Sequence, residues 1–207
     1  MPLWGTAHAA ATNKPKFLPA DENSDYNRAD AYATQRGWVM QAGHVSSGNG
    51  NTDADPEILV AIGGLAGADA NTGLRAPTVT AMRFVIGSTA TTDLTASNSA
   101  GRIRVEITWD EAVTVAGTPQ VVVANSNASG GGYGNYTLSY ISSGSTANRK
   151  LFEATSQSLG NTDVLTLGGS NISLNSGTIS DTVVGGTTLA ASLVLSGLDA
   201  VAVTIAS

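Results

Sequence analysis

The chain has 207 residues, a net charge of −6, only 13% charged side chains and no cysteine. Ten scattered Lys and Arg exclude the clustered basic face that gripping nucleic-acid phosphates requires. Without cysteine there is no disulfide or thiolate metal site, so stability must come from packing or from partners.

Residues 1–36 carry Pro2, Pro15 and Pro19 but few bulky apolar side chains. Trp4, Phe17 and Leu18 are the anchors of the first 19 residues, too few to fold alone, and such a terminus is usually tied to something larger or to its own domain. Met1–Gly5 lacks the basic and apolar regions of a secretion signal, and no apolar run approaches the ~18 residues of a membrane span. The expectation is a soluble protein made without a secretion tag. Asp21 to Gln35 reads as a small surface helix, with Asp21, Glu22 and Asp25 near its start, Arg36 near its end and Gly37 as the stop,.

Gly37–Val45 and Glu57–Leu65 read as two strands of a hairpin with a long Gly/Asn/Asp-rich tip between them,. A glycine-rich stretch then leads to Pro77, which divides the chain into an N-terminal arm and anchoring region, 1–76, and an all-β domain, 77–207,. In the second part Ile103, Val105, Ile107 and Trp109 alternate with Arg102, Arg104, Glu106 and Thr108. A period of two sends the first set inward and the second to water. Further strands are expected near Val79–Ile86, Val113–Val115, Gln120–Ala124, Tyr136–Ile141, Lys150–Thr155, Val164–Leu167, Ile172–Leu174, Ser192–Leu195 and Val201–Ile205. Turn signals every eight to twelve residues or so argue for an immunoglobulin-like β-sandwich. The paired charges Arg102/Arg104 and Arg149/Lys150 read as solvated strand or turn positions.

The run Val105 to Pro119, with Asp110-Glu111-Ala112-Val113-Thr114-Val115 and Gly117-Thr118-Pro119, resembles the opening of bacterial immunoglobulin-like repeats. Asn135 to Gly144 and Gly177-Thr178-Ile179-Ser180-Asp181 are similar to their later strand and closing motif. That likeness covers roughly residues 78 to 207 and implies a fold, not an activity. The leader (Met1-Pro2-Leu3-Trp4-Gly5, Lys14-Pro15-Lys16-Phe17-Leu18, Arg36-Gly37-Trp38-Val39 and Glu57-Ile58-Leu59-Val60-Ala61) resembles virion structural proteins of contractile-tailed cyanophages. The resemblance implies a capsid decoration (cement) protein on the capsid exterior, assembled in the host cytoplasm. Its partners would be the major capsid protein or other virion proteins, and copies of itself. Trp4, Phe17, Leu18 and Trp38 would be the side chains that grip them. A neck, baseplate or tail-fibre component and a glycan-binding adhesin module stay open beside it.

Chemistry is sparse. His8 and His44 are far apart in loop-like sequence, without the rigid partners a catalytic or metal-bound histidine needs; the expectation is no enzyme and no cofactor. Asp110, Glu111 and Asp181 could converge on Ca²⁺ at one end of the sandwich, or simply cap turns and protect edges. Asp53, Asp55 and Glu57 pose the same choice in the hairpin loop. The loop from Asn125 through Asn127 and Tyr133 to Tyr136 could stack on a sugar, or be an ordinary flexible tip.

Overall fold

The structure, a computed structural model, describes residues 14–19, 27–44, 50–62, 65, 76–86, 89–91, 93–95, 102–126, 134–157, 159–160, 162–182 and 188–206. In chain order the strands are β1 (Ala31–Thr34), β2 (Gly37–Met40), β3 (Glu57–Ala61), β4 (Val79–Ile86), β5 (Thr89–Ala90), β6 (Asp93–Thr95), β7 (Ile103–Trp109), β8 (Val113–Ala116), β9 (Gln120–Asn125), β10 (Tyr136–Ile141), β11 (Arg149–Ala154), β12 (Val164–Leu167), β13 (Thr178–Asp181) and β14 (Val201–Ala206).

The leader is β where a helix was expected. Arg28–Asp30 make a single 3-10 turn capped by Asn27, whose side chain accepts from Ala29 N at 2.6 Å. β1 then runs antiparallel to β2, with Ala31 opposite Met40 and Thr34 opposite Gly37. The alanines and the flanking charges suit a helix locally, but β1 has partners on both sides. It pairs with β2, and Ala33 bridges in parallel to Glu111. Tertiary pairing overrides a weak intrinsic preference. Gly37, expected as a helix stop, instead closes a two-residue hairpin turn at φ +125. A Cβ there would overlap the Val60 carbonyl and Ile62 amide of the neighbouring strand, so only glycine fits. Residues 21–26 of the expected helix lie outside the described residues. The expected hairpin of β2 and β3 is present and antiparallel, with an irregularity opposite Trp38 and Val39 that leaves Leu59 as an extra residue in β3,.

The rest of the chain builds one continuous nine-stranded sheet in the order β5-β4-β7-β11-β10-β9-β12-β14-β6, plus the two-stranded sheet β13-β8. The ladders are antiparallel except β14 with β6. The large sheet curls until β14 returns against β4 and Gly168, just after β12, abuts the Met82 side chain of β4, giving a nearly closed barrel. Its interior is a single core that includes Phe84, Ile103, Val105, Ile107, Trp109, Val121, Leu138, Phe152, Leu165 and Val203. Each fully buried side chain of this size contributes about 1.5–3 kcal/mol. Irregular segments cover the open side: Trp109 Nε1 donates to Ser192 O at 3.1 Å, and Ser192 N donates to Pro77 O at 2.7 Å.

Two expected strands are replaced by such segments. Ile172–Leu174 keeps one bridge, Gln120 to Ser173, and Ser192–Leu195 has no ladder. Their amides are satisfied singly, as Ile172 N is by Leu193 O and Leu195 N by Asn171 Oδ1, so the apolar side chains are buried without a regular strand.

Candidate functional site: a buried polar seam between leader and barrel

The alternation of β7 places Ile103, Val105, Ile107 and Trp109 in the core as expected, but its second face is not all in water. Glu106 and Thr108 are buried, and only Arg102 is well exposed. β7 is a central strand, paired to β4 with Arg83 opposite Glu106 and to β11 with Glu153 opposite Arg104. That register makes an ion-pair ladder on the outer face: Glu106 Oε1 accepts from Arg83 at 2.9 Å and meets Arg149 at 3.2 Å. Glu153 takes Arg104 and Arg102. The leader then covers the end of this ladder nearest β1.

At that junction the leader and the barrel exchange backbone and side-chain bonds. Ala33 N donates to Asp110 O at 2.7 Å, and Ala147 N donates to Gln41 Oε1 at 3.2 Å. Asn148, 2% exposed, donates through Nδ2 to Trp109 O at 3.1 Å and to Ala29 O at 3.4 Å. Asp30 is clasped by Arg149 and by His44, the latter at 3.1 Å. Lys14, also 2% exposed, donates to the same Ala29 oxygen at 3.5 Å and lies over the Trp38 ring, 6.0 Å from its centroid.

Burial sets the titration of this seam. It pulls the Lys14 ammonium down from 10.5 to about 8, helped by Arg149 and opposed by Asp110 and Asp30,. Asp110 accepts from the Thr78 amide at 2.7 Å and from the Thr78 hydroxyl. Even so, desolvation raises it to about 6. Desolvation, then the charges of Asp110 and Asp181, push Glu111 up to about 8, and its buried Oε1 has no hydrogen-bond partner among the described residues. Asp181 is raised as well, mainly by burial.

The structure therefore brings Asp110, Glu111 and Asp181 together. Among the described residues, however, no group of three or more His, Asp or Glu is arranged to hold a metal ion. Asp53 and Asp55 stay exposed on the hairpin loop, with Asp55 reaching Arg36 at 3.5 Å, and Glu57 is exposed at the start of β3. Of the side chains expected to grip a partner, Trp38 and Leu18 are buried in their own chain. Trp38 packs with Ala33 and Leu65, and Leu18 with Ala31 and Met40. Phe17 is 67% exposed. Trp4 and His8 lie outside the described residues, as do Asn127 and Tyr133 of the expected sugar-binding loop. Tyr136 of that loop belongs to the core, and the Asn125 side chain donates to Asp163 at 2.9 Å, so neither points a free group at a sugar.

The seam itself was not foreseen. Arg149 and Lys150, expected as solvated positions, are largely buried. Lys150 alternates with Phe152 on the inner face and reaches the Thr146 carbonyl at 2.6 Å,; burial lowers it to about 8. The available signal was the pair of charges abutting an apolar strand, with Asn148 before them. Comparison of the chain with protein-family models, curated proteins and solved structures gives no match.

Proposed function

We propose that the chain is a phage virion structural protein, a capsid decoration protein whose N-terminal region holds the capsid lattice while an immunoglobulin-like all-β body projects outward. The leader's resemblance to cyanophage virion proteins supports this reading, and the observation that carries it is the presentation of Phe17. Leu18 N bonds back to Pro15 O at 3.3 Å, making a turn whose two flanks, Lys14 and Leu18, are buried while the Phe17 ring stands out. An exposed aromatic fixed by buried neighbours loses little freedom on docking, which is the character of an interface hot spot. In this reading Trp38 and Leu18 form the base that holds the turn, and Phe17, with Trp4, makes the contact.

Phe17→Ala, assembled onto particles in competition with the native chain, is expected to lower occupancy about tenfold, the scale of a lost aromatic hot spot. Equal occupancy would remove Phe17 as the contact. The same particles give the copy number: hundreds of copies fit a lattice-covering role, whereas about a dozen would place the protein at the neck or baseplate.

A further inference from the structure

We infer that Lys14 and Asn148 join in a self-formed amide cross-link that staples the leader to the barrel, with the Asp110 carboxyl as the proton carrier. The two side chains come from segments far apart in sequence, yet both are 2% exposed and both nitrogens rest on one acceptor, the Ala29 carbonyl. The second bond of Asn148, to Trp109 O, fixes its carboxamide next to the residue that follows Trp109, which is Asp110. Asp110 is fully buried and is among the charged groups facing Lys14; the others are Asp30 and Arg149. Asp30 is engaged by the charged Arg149 and by His44, whereas Asp110 is held by the uncharged amide and hydroxyl of Thr78, so Asp110 is the acid placed to exchange a proton with the amine.

The chemistry balances without any added reagent. The neutral Lys14 Nζ attacks Asn148 Cγ, giving a tetrahedral carbon. Asp110 accepts a proton from Nζ and returns it to Nδ2, the Cγ–Nδ2 bond breaks, and ammonia leaves. One C–N bond is formed and one is broken, with no change of oxidation state. The seam favours each requirement. Burial makes about a tenth of the Lys14 amine neutral at pH 7,, and raises Asp110 to where it can both give and take a proton,. Excluding water removes the competing hydrolysis, and fixing the partners in place replaces an encounter by a rotation of the lysine's terminal torsions. The inference does not depend on the virion reading.

The test is mass spectrometry of the denatured full-length chain and of its tryptic digest. The cross-linked chain is about 17 Da lighter than its sequence through loss of ammonia, and the peptide holding Lys14 travels joined to the peptide holding Asn148. Separate, unmodified peptides overturn the proposal. So does a loss of about 18 Da with Lys14 joined to Asp110, which is the amide made by losing water instead. These readouts on the native chain need no variant to fold. Asp110→Asn, checked for folding by circular dichroism, is expected to slow linkage at least about tenfold; an unchanged rate in a folded variant removes Asp110 from the mechanism.

Discussion

Glu111 lies between two other carboxylates and almost out of reach of water, so the folded chain holds it protonated where an unfolded chain would not. Its pKa rises from 4.5 to about 8. The stability it contributes is therefore complete below about pH 4.5 and is lost as pH climbs to about 8. Asp110 acts in the same direction between 3.8 and about 6. Lys14 and Lys150, lowered to about 8 from 10.5, act oppositely: unfolding takes up protons above pH 8, so stability recovers there. Urea midpoints measured from about pH 5 to about pH 10 should pass through a minimum near pH 8. Glu111→Gln should flatten the acid side of that curve and raise stability at pH 8 by about 1–2 kcal/mol; a midpoint that rises from pH 5 to 8 would contradict this account. The meeting of Asp110 and Glu111 with Asp181 was legible in the sequence, because the first two end an alternating strand and the third closes a motif resembling the same domain. Lys14 and Asn148 were not legible. Nothing local to either residue signals a partner 134 positions away, and a lysine in a proline-rich stretch reads as solvated.

At the level of elements, β7 decides the architecture. Its inner face fills the core and its outer face carries Glu106 between two guanidinium groups. Glu106→Ala should cost about 3 kcal/mol, because it strands buried charge rather than merely deleting a contact; Glu106→Gln should cost less. Thermal unfolding of both variants checks the order. Strands such as β4, β10, β12 and β14 were readable because alternating or continuous apolar residues ended at clear turn residues. β1 was not. Ala31, Tyr32 and Ala33 carry no strand signature of their own and become a strand by pairing with β2 and bridging to Glu111. The segments near residues 172 and 192 show the converse: apolar runs that fill the core without a ladder, since burial of the side chain does not require a regular backbone.

Across the whole molecule, the leader sheet and the barrel are joined by polar bonds, several backbone and amide hydrogen bonds and a buried ion pair. The clusters around Trp38 and Leu18 are small beside the barrel core, and Asp30 is the leader's ionic hold on Arg149. Asp30→Asn should loosen the leader selectively. Amide exchange in β1 to β3 should accelerate while β7, β11 and β10 keep their protection, and hydrogen-exchange mass spectrometry reads the two regions separately. Equal acceleration everywhere would mean that leader and barrel open as one unit. The proposed amide cross-link changes what this experiment can see: the Lys14 end stays attached while β2 and β3 open.

The ends of the large sheet are its shortest strands, β5 with two residues and β6 with three, and the outer strand of the leader sheet, β3, carries an extra residue that breaks its regular spacing. Each of these three end strands offers another chain little continuous backbone to zip onto. Copies of such a protein can stand shoulder to shoulder, at the density of a shell or of a concentrated solution, without their sheets running together into fibres.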